Sequence, residues 1–126
     1  MTLWHQLWDR PSKSDLQKGF SLIQKAEAVG ARTQRESEYI RAVAAFYVND
    51  PKATYDSRTA AYSQALRHLH RQFPGDDEAA DFYALSLLAS PEASKNDFAY
   101  RKKAVSILNG VFARRPNDPG AAHYLI

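Results

Sequence analysis

His68 and His70 stand two residues apart in the run Arg67-His-Leu-His-Arg71, the first place to look for metal or proton chemistry. Two positions on a helix are separated by about 200° of rotation, so the rings point apart and surface or flank histidines are the expectation. His123 lies beside Tyr124 in the last apolar run. Its first reading is a packing histidine held by a backbone partner, and its second a groove or ligand contact. Asp76, Asp77, Glu78 and Asp81 form a dense acidic cluster. Paired carboxylates can work as acid and base. Here they open a helix, where negative charge caps free N–H groups and offsets the macrodipole. Trp4, Trp8, Tyr39, Tyr47, Tyr83, Tyr100 and Tyr124 could stack on bases or peptide side chains, but aromatics at helical spacing are chiefly core.

The sequence holds no His-Glu-x2-His, no Gly-x-Ser-x-Gly, no Gly-x-Gly-x2-Gly and no phosphate loop ending in Gly-Lys-Ser/Thr. Gly30, Gly75 and Gly120 each fall at an expected helix end or turn. With no cysteine there is no disulfide, thiolate metal site or cysteine nucleophile. The expectation is a protein without cofactor or metal, and not an enzyme.

Composition bounds the partners. A chain of 126 residues can bury about two thirds of the surface its unfolded form exposes. Its net charge of +3 comes from 17 basic against 14 acidic residues of mixed sign. The short clusters Arg101-Lys102-Lys103 and Arg114-Arg115 read as solvated helix surface, so no nucleic-acid partner is expected. No apolar run approaches the ~20 residues of a membrane span, so no membrane is expected either. The start lacks a signal peptide's basic head and apolar middle, which leaves the compartment unknown, with cytoplasmic the default.

These residues must be positioned by helices. A short helix is expected over 3–8, with Leu3, Trp4, Leu7 and Trp8 on one side, stopped by Pro11. Ser14 and Gln17 suggest a capping box ahead of the stripe Leu16, Phe20, Ile23, Ala26, which ends at Gly30. Thr33-Gln-Arg-Glu36 is a second box, opening a helix over 33–48 with Tyr39, Ile40, Val43, Phe46 and Tyr47. The next helix carries Ala61, Tyr62, Ala65, Leu66, Leu69 and Phe73 and stops at Pro74-Gly75. Asp76 then caps a helix over 77–89 whose Phe82, Tyr83, Leu85, Leu87 and Leu88 point all round. Asp97 can cap a helix bearing Ala104, Ile107, Leu108, Val111 and Phe112. Asp118-Pro119 starts the last one.

A repeat underlies this order. Gly19, Ile23, Ala26 and Ala31 share their spacing with Tyr62, Leu66, Leu69 and Pro74, and with Ala104, Leu108, Val111 and Pro116, at offsets of 43 and 42 residues. Glu38-Tyr39, Phe82-Tyr83 and His123-Tyr124 echo one another in the alternate helices.

On these residues the chain resembles the tetratricopeptide repeat family. The family's second helix carries Ala-x3-Phe-x2-Ala-x4-Pro, and Ala104-x3-Leu108-x2-Val111-x4-Pro116 is similar to it, as is Tyr62-x3-Leu66-x2-Leu69-x4-Pro74. The first-helix pattern is met loosely, in Ala80-x2-Tyr83-Ala84-x2-Leu87. The excess over the family's 34-residue period falls in the loops 49–57 and 90–97. The run Pro116-Asn-Asp-Pro-Gly-Ala-Ala-His-Tyr also looks like a stretch of longer bacterial proteins of this type.

The resemblance implies an all-α fold: antiparallel hairpins stacked as a right-handed solenoid of about three and a half hairpins, in one domain over 1–126. Its repeats are expected at 1–31, 32–74, 75–116 and a truncated 117–126. A solenoid needs polar terminal repeats, and both ends here are apolar. The expectation is therefore a fragment of a longer array, or self-association through those ends. The implied function is a non-catalytic scaffold that binds a protein or peptide segment on a concave face lined by the helices over 33–48, 77–89 and 119–126. Candidate contacts there are Tyr39, Arg41, Asp81, Tyr83, His123 and Tyr124. The alternative is a ligand-binding or helper domain of a larger enzyme, with a polar pocket near His123.

Overall fold

Five helices of this chain start where a short oxygen-bearing side chain precedes an apolar periodic run, because its oxygen satisfies an N–H that the first turn leaves free. The computed structural model describes residues 4, 5, 7, 9–91 and 98–126. Among them are six helices and no strand: α1 Lys13–Val29, α2 Gln34–Phe46, α3 Tyr55–Gln72, α4 Asp77–Leu88, α5 Phe98–Arg114 and α6 Pro119–Leu125. Ser12, Thr33, Thr54, Asp76 and Asp118 cap α1, α2, α3, α4 and α6. The expected cap of α5, Asp97, and most of the connector over 90–97 lie outside the described residues. No helix among those described is long and apolar enough to cross a membrane.

Several local expectations need correction. The first capping box is Ser12 with Asp15, not Ser14 with Gln17. Asp15 N–H donates to Ser12 Oγ at 3.2 Å and Ser12 N–H to Asp15 Oδ2 at 3.1 Å. The helix begins as soon as Pro11 is passed. At α2 only half of the box forms: Thr33 Oγ1 accepts from Glu36 N–H at 3.1 Å, while Glu36 Oε2 accepts from Arg32 N–H at 2.7 Å. Trp4 and His5 are not helical, and Leu7 stands in a turn. One bond, Asp9 N–H to His5 O at 3.0 Å, marks that turn. Leu3 and Trp8 fall outside the described residues.

Helix α2 stops two residues before the expected end because a buried arginine gathers its last carbonyls. Arg58 is 7 % exposed. Its Nη1 donates to Phe46 O at 2.8 Å and Val48 O at 2.7 Å, and its Nη2 to Asp50 O at 3.0 Å. A cation is favoured at a helix C-terminus. This one also pins the whole α2–α3 connection onto α3.

The helices pack in chain order, α1 on α2, α2 on α3, α3 on α4, α4 on α5 and α5 on α6, with α4 also touching α6. Repeat-equivalent positions share their burial: Tyr62, Leu66 and Leu69 on α3, and Ala104, Leu108 and Val111 on α5, are all core. On α1 the register holds with less cover. Gly19 is buried, and Ile23 is partly buried against the core. Gly19 has no alternative there, because a Cβ would run into the ring of Tyr47. Helix α4 is buried on nearly every side, including Tyr83, Leu85 and Leu87, as a central layer must be.

The N-terminal segment closes one end of this core. Trp4 is 4 % exposed, stacks on Phe46 at 3.7 Å between centroids, and meets Tyr55 and Tyr62 edge-on at 6.3 and 5.5 Å. Each such aromatic pair adds about 0.5–1.5 kcal/mol beyond the area it buries. Trp4 is therefore not part of an exposed apolar end. At the other end Tyr124 and Leu125 pack against the core, and Ile126 is exposed.

Candidate functional site

The acidic cluster is distributed rather than convergent: its members tie the start of α4 to three different helices. Asp76, the cap, faces α2. Arg35 Nε donates to Asp76 Oδ2 at 2.6 Å and Nη2 to Asp76 Oδ1 at 3.1 Å, while Nη2 also reaches Glu78 Oε2 at 2.8 Å. Tyr39 adds its hydroxyl to Asp76 Oδ2 at 3.1 Å and lies under the Arg35 guanidinium, 4.8 Å from ring centroid to Cζ. Burial works to raise the Asp76 pKa, but the bonds from Arg35, the Ala79 N–H and Tyr39 outweigh it and hold the carboxyl below its usual range. The same surroundings push the Tyr39 phenol upward, first by burial and then by the charge of Asp76.

Asp77 faces α5, where Arg114 Nη2 donates to its Oδ1 at 2.6 Å and Arg115 stands 3.7 Å from Oδ2. Asp81 faces α6. Its carboxyl is pushed up to about 7, by burial first and then by the adjacent Asp118 and the charges of Asp77 and Glu78. Asp118 is held low, chiefly by the Ala121 N–H that it caps. Gly120 leaves room for the approach, since a Cβ there would strike Asp81 Oδ2. The other oxygen of Asp81, Oδ1, is buried with no hydrogen-bond partner. Cluster and caps together are thus a set of interhelix ties.

An open groove of ≈ 710 Å³ runs beside the Arg35 tie, between the end of α1, the first half of α2 and the start of α4. Gly30, in the left-handed region at φ 78°, lets the chain turn sharply enough to bring Ala31 and Arg32 onto its wall. Ala26, Val29, Tyr39, Ile40 and Phe82 supply apolar lining. Val29 is 87 % exposed and Phe82 37 % exposed. Lys25, Arg32 and Arg35 stand around them with Glu36 and Glu78. Arg35 and Glu78 neutralise each other, and Glu36 is turned back on the backbone of Arg32. Lys25 and Arg32 have no carboxylate against their side chains among the described residues.

The six candidate contacts do not meet. Tyr39 lines this groove. Arg41, on another face of α2, is exposed beside Glu38 at 3.3 Å and lines a separate shallow hollow with Glu27 and Ala31. Tyr83 is 4 % exposed and so belongs to the core rather than to a rim. Its ring lies 5.9 Å from that of His70 and 5.4 Å from Lys103 Nζ. Asp81 is buried against α6, near the partly buried Tyr124, whose phenol is pushed up by burial and by the Asp81 charge. His123 is exposed, with its ring edge against Tyr124 at 5.4 Å, and the nearby Asp81 is buried on α4. Helix rotation explains the scatter: neighbours in sequence lie about 100° apart, and α4 is covered on almost every side.

Sequence reasoning missed Lys25, Val29, Arg32, Arg35 and Phe82 as groove residues. One signal was present, since Arg35 and Tyr39 stand four apart on one face of α2. Nothing local marks Phe82 as the large apolar residue of α4 left facing solvent. Compared with models of known protein families, with curated proteins and with solved structures, the chain matches none of them.

Proposed function

We propose that this protein is a non-catalytic scaffold for protein association, and that the α1–α2–α4 groove is the surface that receives a partner. One observation carries the reading: two large apolar side chains, Val29 and Phe82, stand exposed around a concavity whose unpaired charges are both cationic. Exposed apolar surface of this kind, rimmed by charge, favours a protein segment. The segment that fits is an extended or helical peptide with an aliphatic or aromatic anchor flanked by carboxylates. Lys25 and Arg32 would orient it.

The tetratricopeptide-like stacking belongs to the same proposal. Its support is the repeated burial of Tyr62, Leu66 and Leu69 and of Ala104, Leu108 and Val111, together with the contact of α4 with α6 across one intervening helix. In such an array the first helices of successive pairs, here α2, α4 and α6, line one side. The groove draws on two of them.

The test is a peptide-array screen of the purified protein, followed by affinity measurements on the best acidic, apolar-anchored peptides. Arg32→Glu and Val29→Asp should each weaken binding by about tenfold or more, with thermal unfolding unchanged. Peptides that bind these variants as well as the parent would rule the groove out.

A further inference from the structure

Helices α3 and α5 flank a second hollow, of ≈ 280 Å³, with α4 beneath it. It shares no residue with the α1–α2–α4 groove. Tyr83 and Leu87 of α4 form the floor and are 4 % and 3 % exposed. Gln64 and Arg67 stand on the α3 wall, and Tyr100 and Lys103 on the α5 wall. Each pair is three residues apart, which places its members on one side of the helix.

The polar groups of this hollow are of one kind. Gln64, Arg67, Tyr100 and Lys103 all carry hydrogen-bond donors, and no carboxylate among the described residues lines it. Arg67 and Lys103 are exposed, and neither is paired with a carboxylate among the described residues. Lys103 instead lies over the Tyr83 ring, 5.4 Å from Nζ to centroid. Two like charges thus stand on the walls of one hollow, above an apolar floor that screens them poorly. The positive field reaches His70 on α3. Burial first, and then the charges of Arg114 and Lys103, lower its pKa against the opposing pull of Asp76.

We propose that this hollow binds the phosphate group of a small ligand. Charge sets the class: a phosphate carries about −1.5 to −2 at neutral pH and answers both cations, whereas a single carboxylate answers one. The planar guanidinium of Arg67 can give paired N–H bonds to two phosphate oxygens, and the Lys103 ammonium supplies a point charge. The Gln64 amide and the Tyr100 hydroxyl are donors for further oxygens. Size sets the limit. Small-molecule sites span roughly 300–1,000 Å³, so a hollow at the bottom of that range holds a phosphate and a few carbons rather than a peptide. A nucleic-acid strand instead calls for a charged groove that tracks its backbone.

The probes are inorganic phosphate and glycerol 3-phosphate, titrated into the full chain at constant ionic strength and followed by amide NMR shifts. Both are expected to saturate, with shifts gathered on α3 and α5 around the hollow. The tighter of the two tells free phosphate from ester. Arg67→Ala and Lys103→Ala should each lower affinity about tenfold, and Arg67→Lys should recover only part of that loss. Both positions are exposed, so the variants should keep the parent's melting curve. Lys102→Ala, at an exposed cation of the same helix, should leave affinity unchanged. So should Arg32→Glu in the peptide groove, which keeps the two sites separately testable. Succinate, whose two charges sit at opposite ends, should bind more weakly than either phosphate. No saturable binding, succinate binding as tightly, or indifference to the Arg67 and Lys103 substitutions overturns the proposal. So does an equal loss in Lys102→Ala, or preference for a single-stranded oligonucleotide over both phosphates.

Discussion

The carboxyl of Asp81 on α4 is set against Asp118, the cap of α6, and of the two acids it is Asp81 that is driven towards its protonated form. Burial first, and then Asp118 and the neighbouring carboxylates, push the Asp81 pKa up to about 7, while Asp118 is held low, so below about pH 7 Asp81 keeps a proton. The unfolded chain releases that proton near pH 4. The folded form therefore binds more protons between about pH 4 and about pH 7, and the tie weakens as pH rises through that window. Asp81→Asn keeps a donor toward Asp118 and removes the titration. Relative to the parent, this variant should gain stability as pH rises from about 4 to about 7, by on the order of 1 kcal/mol after allowance for screening by nearby solvent. Thermal melts across the window decide it, and a constant difference between the two proteins would falsify the raised Asp81 pKa.

The Arg35–Asp76 tie between α2 and α4 is unequal in its two halves. Arg35 is about half exposed, with 43 % of its side chain open to solvent, whereas Asp76 is 9 % exposed. Arg35→Ala should cost about 0.5–1 kcal/mol. Asp76→Ala removes the α4 cap and leaves Arg35 and Tyr39 without their acceptor, and should cost about 2 kcal/mol. Urea unfolding of both single variants and the double variant measures the coupling. Strict additivity would count against a direct tie.

Gly19→Ala gives the helix a better former, worth about 1 kcal/mol in its favour. The added Cβ meets the ring of Tyr47. Overpacking of this kind costs about 1–3 kcal/mol, so the net effect should be destabilising. In a Tyr47→Leu background the same substitution should become neutral or favourable. A sign that does not depend on residue 47 would show that the ring is not the obstacle.

Arg58→Met should strip three carbonyls of the α2–α3 connection of their donor and cost about 2–3 kcal/mol. Arg58→Lys keeps the charge but cannot reproduce the planar fork, and should recover only part of that loss. Chemical denaturation ranks the three proteins, and equal stability of lysine and arginine would mean that charge alone holds the loop.

Much of this could be read from the chain before any coordinates. Thr33, Asp76 and Asp118 declare themselves as caps because capping depends on a side chain and an N–H two or three residues away. The 42- and 43-residue echo marks the buried face of α3 and α5 for a similar reason, since helical spacing decides which residues share a side. At the first helix Ser12 and Ser14 offer competing oxygens two residues apart, and the structure uses Ser12, directly after Pro11. The candidate contacts are spread over several faces of the fold. Tyr83 and Arg41 belong to an apolar-all-round helix and to an amphipathic one, and nothing local says which way either turns.

The residues by themselves determined the caps of α2, α4 and α6, which stripes are apolar, and that these stripes recur. Each is a matter of spacing along one chain. Only the tertiary structure decided that Asp76, Asp77 and Asp81 answer to Arg35, Arg114 and Asp118 respectively, that Trp4 closes the core, and that Val29 and Phe82 are left around a groove. Those outcomes depend on how each helix is rotated and crossed against its neighbours. A shift of one residue turns a side chain by about 100°, enough to exchange core for solvent.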